Sequence, residues 1–182
     1  MPQTSYSIDM PVARAGLVAD SGIAQDIISR LAEDAAGARA GTFVVPGTDG
    51  ETQAIAPTAT GEISDGDGLG VVMYDASNPA ARTAAAIAAG AEYDDEQMLP
   101  VVSKGRVWVL CDDAATIVAN TPAFVRHVAG AGEVLGAFRE DVDGGDATAL
   151  TNAVFRSAHR DVDFDQAGTQ RVALLEIAQP TT

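Results

Sequence analysis

LPVVSKGRVWVLCDD, residues 99–113, decides how the chain is read. It holds the only lysine, the only tryptophan and the only cysteine, and acids flank it: Asp94, Asp95 and Glu96 before, Asp112 and Asp113 at its end. Such a concentration marks either a reactive site or a packed strand. In an extended strand side chains alternate between faces, so Arg106, Trp108 and Leu110 share one face and Val107, Val109 and Cys111 the other. The second set is a plain core face, on which Cys111 is a small buried hydrophobe. A nucleophilic cysteine needs a nearby base or a positive field, whereas Asp112 and Asp113 push a thiol pKa up. The segment therefore reads as scaffold. Taken from Met98 to Cys111, it predicts a hairpin of two strands around Lys104-Gly105, with Lys104 solvated in the turn.

Working outward, short apolar runs alternate with glycine and aspartate. GTFVVPG (41–47) is a strand stopped by Pro46 and Gly47. A strand over 53–56 interrupts a turn-rich stretch, and LGVVMYDA (69–76) is another apolar strand. Beyond the hairpin, TPAFVRHVAG, EVLGAFRE, TNAVFRSAHRDV and QRVALLEIA supply further short strands. Several short strands at regular spacing predict a barrel or a sandwich. Two segments read as helices. In 21–37, Ile23, Ile27, Ile28, Leu31 and Ala35 share one helical face, with Ser21 as cap. In 77–90, Asn78 is the cap, Pro79 the first helical position and Gly90 the stop. The expected fold class is mainly β: a compact β-barrel or β-sandwich with an extended N-terminal arm and one or two short helices.

That arm is residues 1–22, preceding a single β-rich domain over 23–182. Tyr6, Ile8, Met10 and Val12 are apolar at period two, with Pro2 and Pro11 nearby. Pro11 lacks a backbone donor, which leaves an edge strand or an extended arm rather than a central strand. No basic start followed by an apolar stretch opens the chain, so residues 1–16 are not expected to be a signal peptide, and no run approaches a membrane span.

With 182 residues, one good core is expected. Hydrophobic residues make up 47% and aromatics only 5%, so Val, Ile and Leu must build that core. The formal net charge of −15, with no basic cluster, argues against nucleic acid as a partner. A single cysteine forms no internal disulfide.

Catalytic and ligand motifs are nearly absent. His127 and His159 lie in alternating apolar segments, and no HExxH or CxxC accompanies them, so no metal signature arises. Three acidic loops come near a calcium-binding pattern. From Asp161, carboxylates occupy positions 1, 3 and 5, but Gln166 replaces the required glycine and Val172 the bidentate glutamate. From Asp141, Gly145 stands at position 5 and Asn152 at position 12; SDGDG (64–68) is a turn with two acids. These read as solvated acidic turns. GAGEVLG (130–136) misses the dinucleotide fingerprint by one residue and precedes a strand. Neither a P-loop nor GxSxG is present. No cofactor and no catalytic residue is expected.

The order of segments carries more. ARAGLVADSG, then GTFVVPG, IAPTATGE, GVVMYD, LPVVSKGRVWVLCDD and a terminal VALLEIA resemble the cement (decoration) proteins of tailed-phage capsids. The matching parts lie at 15–22, 41–47, 56–60, 70–74, 100–111 and 172–177, nearly the whole chain. The alanine-rich segment 79–90 departs from the pattern by its length. The resemblance implies a non-enzymatic virion protein on the outer capsid surface. It would bind across contacts between major capsid proteins, as a dimer or trimer, with a small barrel or sandwich and a flexible N-terminal arm. On that reading Tyr6, Ile8, Met10 and Val12 contact neighbouring capsid subunits; the competing reading folds the arm back onto its own domain. Another function class is a soluble ligand- or carbohydrate-binding β-module, and a third is a small hydrolase with an acid pair from distant loops.

Overall fold

Apolar residues at alternate positions become strands along most of the chain. The structure is a computed structural model describing residues 13–19, 25–33, 38–64, 68–75, 93–112, 116–130, 133–163 and 169–178. Among them run β1 (Asp26–Ala32), β2 (Phe43–Pro46), β3 (Gln53–Ile55), α1 (Thr60–Ser64) and β4 (Gly70–Val72). There follow β5 (Met98–Leu110), β6 (Pro122–Arg126), β7 (Phe138–Arg139), β8 (Ala147–Phe155), β9 (Arg160–Asp163) and β10 (Thr169–Ile177). The fold is mainly β, as expected, and of the two expected architectures it contains a closed barrel.

That barrel has five strands in the order β1–β3–β2–β4–β5, closed by antiparallel pairing of β5 with β1. Closure leaves none of the five as an open edge. Its interior holds Ala32, Val44, Ala54, Val72, Leu99 and Val101, with Ile28 packed against them. The extra strands continue from β5 through β10, β8, β6 and β7, with β9 on β10. Their inner face meets Phe43, Val45 and Val71 in a second core around Val107, Val109, Phe138, Phe155 and Leu175. Phe138 stands edge-on to Phe43 and Phe155, with ring centroids 6.3 and 6.5 Å away. Such edge-to-face pairs favour a fixed geometry beyond mere burial.

β5 serves both halves, which corrects the expected hairpin. The 13 residues of β5 form one continuous strand with no turn at Lys104-Gly105. Asp26 pairs opposite Lys104, and Ile177 opposite Gly105. The strand therefore changes partners at this dipeptide without reversing direction. Gly105 has φ 128°, a conformation that L side chains rarely adopt, and a Cβ there would lie 2.9 Å from Gln25 Cγ. The glycine signal in the sequence marked a hand-over between sheets.

The helix expected over 21–37 is also corrected: its described part is strand β1. The apolar residues fit a 3.6-residue period, but β3 and β5 satisfy this backbone from both sides. Tertiary pairing overrides a weak local preference. With period two, Ile28 and Ala32 turn toward the core, while Ile27 and Leu31 face outward at 47% and 39% exposure. Ile23, Ala35 and the helix expected over 77–90 lie outside the described residues. The short helix that is described, α1, arises within the turn-rich stretch. The Glu62 carboxylate accepts from the Thr58 and Ala59 amides at 2.7 and 3.0 Å and so caps its first turn.

Candidate functional site

The chemistry-bearing side chains of the central stretch are dispersed by strand alternation. Cys111 is 4% exposed within the second core, and burial, then the neighbouring Asp112 charge, pushes its thiol well up. A thiol held protonated is a poor nucleophile. Trp108 faces the opposite way, 7% exposed, packed with Ala13, Ala15, Leu110 and Val172. The Arg160 guanidinium lies 5.4 Å from the Trp108 ring centroid. The expected faces, Val107, Val109 and Cys111 against Trp108 and Leu110, are the ones observed.

The histidines do not meet a common ligand. His127 Nε2 lies 3.3 Å from Thr60 Oγ1, and His159 Nδ1 lies 3.3 Å from the Ile117 carbonyl. Among the described residues no group of three or more His, Cys, Asp or Glu could hold a metal ion. Nor is any described helix long and apolar enough to cross a membrane.

The strongest polar constellation was not legible in the sequence. Arg126 on β6, its side chain wholly buried, donates from Nε to Asp112 Oδ2 at 2.8 Å and from Nη1 to the Val128 carbonyl at 3.0 Å. It also pairs with Glu133 at 2.9 Å and with Asp143. Arg139 on β7 shares Asp112 Oδ2 at 3.0 Å and binds Asp141 and Asp143 at 2.9 and 3.0 Å. Burial works against the Arg126 charge, but Asp112 and Asp143 outweigh it and raise the guanidinium pKa. In the loop from Asp141, the carboxylates of Asp141 and Asp143 are thus committed to arginines. The loop from Asp161 likewise gives its first carboxylate to Arg171 Nε at 2.8 Å. These charge-assisted bonds fix loops to strands. Arg126 and Asp112 stand 14 residues apart, and no local pattern links them.

A cavity of about 510 Å³ opens where the two halves meet, lined by Phe43, Ile63, Leu69, Leu150 and Ile177, with Asp26 and Lys104 also on its wall. Neither Cys111 nor either histidine lines it.

The N-terminal segment divides. Tyr6, Ile8, Met10 and Val12 lie outside the described residues. Residues 13–19 run against β5: Gly16 N donates to the Trp108 carbonyl at 2.7 Å, Trp108 N to Leu17 at 2.8 Å and Ala19 N to Arg106 at 3.0 Å. Val18 forms an antiparallel bridge with Val107. This segment supplies the lid over Trp108.

The same architecture recurs in a chain of a solved structure titled "The capsid of Myoviridae Phage XM1". The TM-score is 0.64 at 15% identity, over 94% of this chain and 95% of that one, which establishes a shared fold. Among curated proteins no relative matches. Residues 1–178 match the family described as "Structural cement protein (E217 gp24/Pam3 gp6)". That match spans all but the last few residues, and the chain belongs to the phage structural cement protein family.

Proposed function

We propose that this chain binds the outer surface of a phage capsid and stabilises contacts between major capsid proteins, without catalysis and as a dimer or trimer. The observation that carries the proposal is the family match over residues 1–178. A clamp that binds only the assembled lattice stabilises it by mass action. Several contacts made together by arm and body slow its release. The chemistry of the described residues agrees: the thiol is buried, the histidines are separate and the interior acid is held between arginines. Against the carbohydrate-binding alternative, Trp108, the one tryptophan, is covered by Ala13 and Ala15 and offers no open face for stacking on a sugar. In the proposal, residues 1–22 act as the arm, with Tyr6, Ile8, Met10 and Val12 contacting capsid subunits.

The test is co-sedimentation of purified full-length chain with empty phage heads assembled without it, followed by heating of the heads. Saturable binding with a raised head-disruption temperature is expected. Heads that neither bind the chain nor gain stability would reject the proposal.

A further inference from the structure

Three sulfur side chains lie among the described residues: Met73, Met98 and Cys111. A peroxide oxidises sulfur by direct attack of the sulfur on oxygen, so the rate follows the electron density of the sulfur and its access to solvent. A thiolate is a stronger nucleophile than a neutral thioether. In an unfolded chain Cys111 is therefore the group that a peroxide reaches first. The fold reverses that order.

Cys111 is 4% exposed within the second core, and burial, then the Asp112 charge, keeps its thiol protonated. Met73 is half-buried. Its N–H donates to the Pro100 carbonyl at 2.7 Å, and its carbonyl accepts from the hydroxyl of the buried Tyr93 at 2.7 Å. Met98 is 64% exposed, the most open of the large hydrophobic side chains among the described residues. It is the first residue of β5, and Leu99 after it turns into the barrel core, so strand alternation sends Met98 outward. Its partner across the ladder, Leu31, is itself 39% exposed.

Independently of the capsid-binding reading, we infer that Met98 is the site at which a peroxide modifies the folded chain. A sulfur lone pair attacks one oxygen of hydrogen peroxide and the O–O bond breaks. The hydrogen on the attacked oxygen passes to the departing hydroxide, which leaves as water. The thioether is oxidised by two electrons to a sulfoxide, and the peroxide is reduced by two. The product places a polar oxygen at an outward position. Leu99 and Val101 fill the barrel core without Met98, so the modified chain stays folded.

The experiment treats the full-length chain with hydrogen peroxide at pH 8, once native and once in urea, and follows oxidation at each sulfur by peptide mass spectrometry. In the native chain, Met98 sulfoxide should form at least about tenfold faster than Met73 sulfoxide or any oxidised form of Cys111. In urea Met98 should lose its lead, with Met73 matching it and Cys111 overtaking both. Met98→Leu changes an exposed position conservatively and should leave the native chain nearly inert at the two remaining sulfurs. Met73 or Cys111 reacting as fast as Met98 in the native chain overturns the inference. So does an equal lead of Met98 in urea, which would place the cause in the neighbouring sequence and not in the fold.

Discussion

Asp112 Oδ2 accepts the Nε–H of Arg126 at 2.8 Å in a place where the guanidinium is wholly withdrawn from solvent. Arg139 uses the same oxygen at 3.0 Å, so one carboxylate ties β6 and β7 to the end of β5. Removing one member of a buried pair leaves an uncompensated charge, which costs about 3–5 kcal/mol. Asp112→Ala should lose stability on that scale. Glu133 and Asp143 remain beside Arg126 but are each 37% exposed, so they offset only part of the loss. Urea unfolding of the full chain measures it. A change below 1 kcal/mol would mean that the outer acids suffice.

Glu176 on β10 is held by Arg156 at 3.0 Å and Arg106 at 2.6 Å. Hydrogen bonds from Arg156, then Arg106, lower its pKa to about 2. The folded state therefore favours the ionised carboxylate. Its contribution is complete above about pH 4.5 and is lost as pH falls toward about 2. The side chains of Arg106 and Arg156 are 34% and 39% exposed, so solvent screening reduces the contribution to about 1 kcal/mol. Glu176→Gln should be less stable than wild type by that amount at pH 7, with the gap closing as pH falls through about 2. Unfolding free energies across this range provide the check.

Legibility followed the range of the forces involved. The strands β2, β3, β4, β6 and β10 were readable because alternation and flanking glycine or proline act within a few residues. The two faces of β5 were readable for the same reason, down to Cys111 inside and Trp108 outside. β1 was misread because Ile27, Ile28 and Leu31 fit both periods, and only pairing with β3 and β5 decides between them. The continuous course of β5 was hidden because Gly105 looks the same in a turn and in a hand-over between sheets. The Asp112–Arg126–Arg139 cluster depends on β6 and β7 being brought to the end of β5, which local sequence does not encode. Family membership was legible from the order of the segments, and the match over 1–178 bears it out.

Cys111 gives a third expectation. Its sulfur is enclosed in the second core, and burial followed by the Asp112 charge raises the thiol pKa. Thiol reagents attack the thiolate. In the folded chain a chromogenic disulfide should react at least a hundredfold more slowly than with the chain in urea. Rapid labelling under native conditions would show that the core around Val109 and Phe138 opens readily.

Gly16 joins the N-terminal segment to the body, and this separates two truncations. Its φ is +80°, its carbonyl accepts from Tyr74 N at 3.0 Å, and an added Cβ would run into the Tyr74 amide. Residues 13–19 cover Trp108, so the only tryptophan reports on their attachment. Gly16→Ala should shift tryptophan emission to the red and expose the segment to protease, because a strained residue destabilises local pairing. Removing residues 1–12 should leave emission unchanged, whereas removing 1–19 should match or exceed the Gly16→Ala shift. Head binding then assigns the arm. Weakened binding on loss of 1–12 with unchanged emission gives Tyr6, Ile8, Met10 and Val12 a direct role at the capsid. If occupancy falls only when 13–19 are also lost, the segment acts by completing the sheet beside β5, and the first 12 residues leave the mechanism.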